Sequence, residues 1–341
     1  MPIASCLAPP FCRKRRTSRA FSLIELMAAV TVLSGILIVV FGITQQVSTV
    51  WRNSAAKIES FRGARNAFSA LSRQLEQATL NTYYDYYQNG TPRTAANAST
   101  FVPTSYGRAS ELHFIAGKSL VPGQVSHSIF FAAPLGRTDV SAYQGMEALL
   151  NATGFYLTYG PDLSRPAFLD ALPNAAATRR NRFRLMQFLQ PSQNLGIYAY
   201  TSNADKNRWF ADSIAAGRGT QQVAENIIAL VILPRLSTGE SAAPGSLAPD
   251  YEYDTRNASN LETFHQMPPV LEVVMVAIDE PSAARLGNSV TAPELGLSSL
   301  FREASDLESD LKKLTTTLDS KRITYRVFRT GIAIKGAKWS S

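Results

Sequence analysis

The side chains of this chain that could do chemistry are few and scattered. His113, His127 and His265 stand too far apart for a metal-ligand spacing, and each reads as a surface or half-buried histidine. Asp250, Glu252 and Asp254 alternate in PDYEYD and could offer carboxylates to calcium. They lack the glycine turn and closing Glu of an EF-hand loop, so a solvated acidic loop is the plainer reading. Both cysteines, Cys6 and Cys12, precede Phe21, leaving the rest of the chain without a disulfide, a thiolate or a cysteine nucleophile. Neither a G-x-x-x-x-G-K-[ST] phosphate loop nor a G-x-S-x-G elbow occurs. No spacing brings two carboxylates together as acid and base. NTYYDYY, Asn81–Tyr87, could stack on bases or sugars, but such a cluster more simply covers the end of a core.

One carboxylate is out of place. In RTSRAFSLIELMAAVTVLSGILIVVFG, Arg16 to Gly42, the run from Phe21 to Phe41 is apolar apart from a few small hydroxyl residues and Glu25. As a helix this run spans about 30 Å, the thickness of a bilayer core. A carboxylate at mid-bilayer costs about 3 kcal/mol on insertion scales, and less near an end, where Glu25 stands. It must reach the headgroups or find a partner. The apolar run is longer than that of a secretory signal, and no A-x-A cleavage site follows it.

The formal charge of +8 suggests nucleic acid at first sight, but its location argues against that partner. Arg13, Lys14, Arg15, Arg16 and Arg19 precede Phe21 and no acidic residue does, so without residues 1–20 the charge falls from +8 to +3. Such a cluster before an apolar span is a topology signal: it stays in the cytoplasm and sends the C-terminal body across the membrane.

AFSLIELM, Ala20–Met27, resembles the processing site of type IV prepilins and pseudopilins. The resemblance implies a basic leader, residues 1–20, cut by a prepilin peptidase between Ala20 and Phe21, with methylation of the new Phe21 amine. Ala20 departs from the family's usual Gly. Glu25 matches the family's acidic residue, whose carboxylate meets the terminal amine of a neighbouring subunit during assembly. The implied partners are the peptidase, other pilin-like subunits, the inner-membrane assembly machinery and the membrane itself. No cofactor, metal or catalytic residue is implied. The implied location is the bacterial inner membrane, single-pass, with a periplasmic body that later enters a filament. The C-terminal stretch ITYRVFRTGIAIKGAKWS, Ile323–Ser340, resembles the pseudopilin-like group called Verru_Chthon cassette protein C. The leading expectation is a minor subunit of a type II secretion-like pseudopilus or type IV pilus. The alternative is a membrane-anchored periplasmic binding or adhesion module that uses the same leader.

These residues need elements to hold them. Apolar positions at helical spacing from Val47 to Ala78, without a proline, continue the membrane helix as an amphipathic one. The expected organisation is a transmembrane helix over 21–46, its amphipathic continuation over 47–82, a connecting loop over 83–110 and a β-rich globular domain over 111–341. The amphipathic stripe requires a partner surface, either a sheet of the same chain or a coiled-coil stalk. Strands are expected at 111–115, 128–132, 154–158, 183–189, 271–278 and 323–328, with 331–334 after the last. Residues 224–233 fit either a strand or a buried helix. A second amphipathic helix is expected over 299–318. The fold class is therefore α+β: a long N-terminal helix on an antiparallel sheet, pilin-like, with an extra C-terminal helix.

Overall fold

A computed structural model describes residues 22–162, 165–173, 179–200, 202, 204–237 and 247–339. The chain divides into two compact units, Met1–Ser54 and Ala55–Ser341. One helix, α1 (Leu23–Glu76), contributes to both.

In the first unit the helix is apolar and bare. A 30-residue stretch, Leu23–Arg52, is long and apolar enough to cross a membrane; its most apolar 18-residue window has a mean hydropathy of 2.7, and none of that window is buried. Three of its hydroxyls are satisfied within the helix. The hydroxyls of Thr31, Thr44 and Thr49 each donate to the carbonyl one turn back, at 2.7, 2.8 and 2.9 Å. A hydroxyl bonded in this way can enter hydrocarbon at modest cost.

The second unit is α+β. Its larger sheet is antiparallel, in the order β10 (Tyr253–Asp254), β4 (Ile115–Gly117), β5 (Ser128–Pro134), β6 (Leu150–Gly160), β7 (Arg182–Gln190) and β8 (Thr220–Glu225). A second antiparallel sheet places β11 (Val270–Ile278) between β9 (Ile227–Arg235) and β12 (Tyr325–Ala333). The C-terminal part of α1 packs on both sheets. Its small and aliphatic positions Ala64, Ala67, Leu71 and Leu75 are buried, while Arg62, Arg65 and Arg73 face solvent. Gln74 accepts a hydrogen bond from Gln187 of β7 (2.9 Å), and Phe68 meets Phe328 of β12 at 5.7 Å between ring centroids. The amphipathic stripe therefore docks on sheets of its own chain.

Strand β11 reads VLEVVMVAI because both of its faces are covered. Leu271, Val273, Met275 and Ala277 enter the core shared with α1. Val274, Val276 and Ile278 enter a second core with Leu307, Leu314 and Leu318 of α4 (Leu307–Ser320). Two short helices, α2 (Arg208–Ala215) and α3 (Glu280–Arg285), complete the described helices.

Several expectations need correction. α1 ends at Glu76, and Thr79 already bridges to Ala132 of β5. The expected connecting loop over 83–110 contains a small antiparallel sheet, β1 (Tyr83–Gln88), β2 (Thr91–Pro92) and β3 (Ser105–Ala109). Its physical cause is local: Asn89 and Gly90, at φ 50° and 78°, form the two-residue turn that joins β1 to β2. The tyrosines do not cover a core end. Tyr84, Tyr86 and Tyr106 are exposed; Tyr84 stacks on Tyr106 at 5.3 Å, and Tyr86 meets Tyr106 at 5.1 Å with its ring tilted. The strand expected at 111–115 begins only at Ile115, the ambiguous 224–233 stretch is strand, and the two C-terminal strands are one, β12. The helix expected from Ser299 starts at Leu307, because Phe301 has a left-handed backbone (φ 57°) and a 3₁₀ turn intervenes.

Candidate functional site

Of the residues expected to carry function, Arg13, Lys14, Arg15, Arg16, Arg19, Ala20 and Phe21 lie outside the described residues. Glu25 is described, and its position is informative. Ser22 stands just before the first helical residue, and its Oγ accepts from the Glu25 backbone N–H at 3.3 Å. Ser22-x-x-Glu25 thus has the spacing of a capping box, with Ser22 as N-cap and Glu25 at the third helical position. The helix dipole favours a carboxylate there. The signal was present in the sequence and reasoning from the apolar run passed over it. Among the described residues no donor reaches the Glu25 carboxylate, and the helix around it is exposed.

Among the buried polar groups of the globular body is a cluster around His113, built from residues far apart in sequence. Pairing of β10 with β4 sets Asp254 opposite Ile115, which brings Asp254 beside His113. His113 Nε2 lies 2.8 Å from Asp254 Oδ1, and Trp209 of α2 donates its indole N–H to His113 Nδ1 at 3.1 Å. An indole is a donor only, so Nδ1 must carry the lone pair and Nε2 the proton. His113 is therefore neutral and donates to an ionised Asp254. Burial pushes the His113 pKa down, against the pull of Asp254. Burial alone would raise the Asp254 pKa. Hydrogen bonds from His113, from Lys206 Nζ (2.7 Å) and from the Arg256 amide (2.8 Å) outweigh it and hold the carboxyl below its ordinary range.

Arg256 completes the cluster. Its buried guanidinium donates to the backbone carbonyls of Tyr200, Glu111 and Ile197. Desolvation lowers its pKa to about 10, with Asp254 pulling the other way. An Asp–His pair can act as a general base only if the second imidazole nitrogen faces a substrate or nucleophile. Here that nitrogen is occupied by Trp209 and the ring is fully buried. What the arrangement does is tie α2 to the β4–β10 edge.

Two expectations are corrected by this geometry. His113 and His127 are not surface histidines but are fully buried, because both ring nitrogens of each are bonded. His265 is half-buried, as expected. Asp254 is not part of a solvated acidic loop but is committed to His113 and Lys206, while Asp250 and Glu252 stay at the exposed surface. Among the described residues no group of three His, Cys, Asp or Glu could hold a metal ion.

No protein-family model, no curated protein and no solved structure matches this chain.

Proposed function

We propose that this chain is a minor subunit of a pilin-like filament, of the type II secretion pseudopilus or type IV pilus kind. In this reading residues 1–20 are a leader that keeps the N-terminus in the cytoplasm. A prepilin peptidase cuts between Ala20 and Phe21 and methylates the new amine. The helix that follows anchors the body on the far side of the inner membrane until assembly draws the subunit into a filament.

The observation that carries the reading is the carboxylate of Glu25. It stands in the first turn of a helix whose apolar side chains are exposed along the membrane-length stretch, and no group of the described chain answers it. A desolvated carboxylate without a partner is costly, and a cationic amine supplied by a neighbouring subunit offsets that cost. The same pairing fixes register, since a slipped subunit leaves a charge uncompensated. The large body, Ala55–Ser341, suits an occasional position better than a repeated one in a uniform shaft.

The test is co-expression with a prepilin peptidase followed by mass spectrometry of the N-terminus. The expected product begins at N-methylated Phe21 and has lost both cysteines. A chain still beginning at Met1, or one cut after Phe41, overturns the proposal. A membrane-anchored binding module is the second reading, favoured by the exposed tyrosines of β1 and β3. It requires that the processed protein stay out of any polymer.

A further inference from the structure

Beside the second core the body has a cleft of about 370 Å³, lined by the residue after β4, the approach to β5 and the loop between α3 and α4. At roughly 30 Å³ per water-sized group it has room for about a dozen heavy atoms. Its apolar wall includes Phe183, Leu295, Leu297 and Leu300. Its cation is Lys118, which is half-buried. The ammonium rests over the Tyr251 ring, 5.6 Å from the centroid; Asp310, Glu252 and Asp250 lie near enough to act on it through space, but among the described residues none makes an ion pair with it. Glu294, the acidic residue lining the cleft, accepts instead from the Gly296 amide at 2.9 Å. Burial lowers the Lys118 pKa.

The backbone around this cleft is strained. Ser119 and Phe301 line it, and Tyr251 lies beneath Lys118; all three have left-handed φ, at 57°, 57° and 65°. Bulky residues hold that conformation only where their surroundings over-determine it. Phe301 is fixed from both sides: Asp310 accepts from its amide at 2.7 Å, and buried His127 lies 3.2 Å from its carbonyl. The His127 ring in turn packs on Tyr251 at 4.7 Å. Strain held in this way around a concave surface is characteristic of ligand sites.

We propose that this cleft binds a small amphipathic carboxylate, its head paired with Lys118 and its apolar tail against Leu295, Leu297 and Phe183. A concave, partly apolar site with one unpaired cation selects for that combination of charge and tail. The proposal is independent of the filament reading, since it concerns only the globular body.

The test uses the full chain in lipid nanodiscs, with 3-phenylpropanoate as probe and 3-phenylpropanamide as its uncharged twin at equal ionic strength. Calorimetry should show binding of the carboxylate, with the amide at least about tenfold weaker. Reductive dimethylation read by mass spectrometry should find Lys118 protected by the carboxylate and exposed Lys321 unprotected. Lys118→Met should weaken binding by about ten- to a hundredfold at an unchanged melting temperature, and Lys118→Arg should restore most of it. Equal binding of acid and amide, failure to protect Lys118, or wild-type affinity in Lys118→Met overturns the proposal. Should Lys118→Met fail to fold, the acid–amide comparison and the protection pattern on the wild type decide alone.

Discussion

Asp254→Asn is the sharpest probe of the buried cluster. The Asp254 carboxylate accepts from His113, Lys206 and the Arg256 amide, and its side chain is 16% exposed. Asn keeps the shape and one acceptor but loses the charge, and it turns an amide N–H₂ toward either the Lys206 ammonium or the His113 N–H. Removing one partner of a buried charged pair costs about 3–5 kcal/mol, and the residual exposure here places the loss near the lower figure, about 3 kcal/mol. The body has roughly 290 residues, so its unfolding entropy is about 0.6 kcal/mol/K, and the expected drop in melting temperature is about 5 °C. The pH dependence fixes the cause. Asp254 is held below its ordinary range when folded, so its stabilisation is complete above the unfolded carboxyl pKa of about 4 and is lost as pH falls below it. Calorimetric melts of wild type and variant should therefore differ by a constant amount from pH 7 to about 5, and the gap should narrow steadily below about 4 as the pH falls toward the folded pKa. Both proteins should weaken from about pH 6.5 downward, because His113, His127 and His265 all have lowered pKa values and unfolding lets them take up protons. A variant within 1 °C of wild type at pH 7, or a gap that does not narrow below about pH 4, refutes the argument.

Two further outcomes follow from the same structure. Glu25→Val should insert in the membrane and be cut normally, since it removes a polar group and leaves Ala20–Phe21 intact, yet it should fail to co-purify with pilin-like partners; wild-type recovery of those partners tells against the assembly role. Gly154→Ala in the middle of β6 should cost about 3 kcal/mol or more, measured as a lowered melting temperature. Its Cβ would run into Phe130 Cδ1 and lie 2.6 Å from the Ile129 carbonyl oxygen, and Phe130 cannot swing away because it is stacked on Phe210 at 3.9 Å.

How much of this was legible in the sequence depended on whether the determining contacts were local. β5, β6, β7 and β11 were found because their β-branched and aromatic runs are bounded by turns, and the amphipathic half of α1 because its period is unbroken. The β1–β3 ribbon was missed because its composition is that of a loop, although Asn89-Gly90 marked the turn. Gly331 split one strand into two in the reading, but in β12 it simply pairs with Glu272 of β11. The buried cluster was beyond reach, since His113 and Asp254 are 141 positions apart and meet only through the β4–β10 pairing. α2 was missed for a similar reason: it is short, and Trp209 and Phe210 gain their meaning from a core assembled elsewhere.

The carboxylates of this chain sort by where their partners come from. Glu272, nearly buried on β11, lies between Arg235 of β9 and Arg329 of β12, so three strands share one charge network. Asp310 takes the Phe301 amide and Lys313, Asp254 takes His113 and Lys206, and Asp279 caps α3 through the Ser282 amide. Among the described residues of the body each buried acid is thus answered from within the fold, as low dielectric demands. Glu25 breaks that rule in the helix long and apolar enough to cross a membrane, where water would not relieve it in the proposed membrane-anchored state. Its backbone is capped by Ser22, so the helix start is satisfied, but the charge itself is not. A role confined to helix capping would be met equally well by Gln at the third position, without the insertion cost of a charge. The excess charge is therefore what needs a reason, and a cation delivered from outside the described chain supplies one. In the proposed filament that cation is the processed amine of a neighbour, which makes Glu25→Gln the discriminating substitution: capping alone predicts normal assembly, and charge pairing predicts its loss.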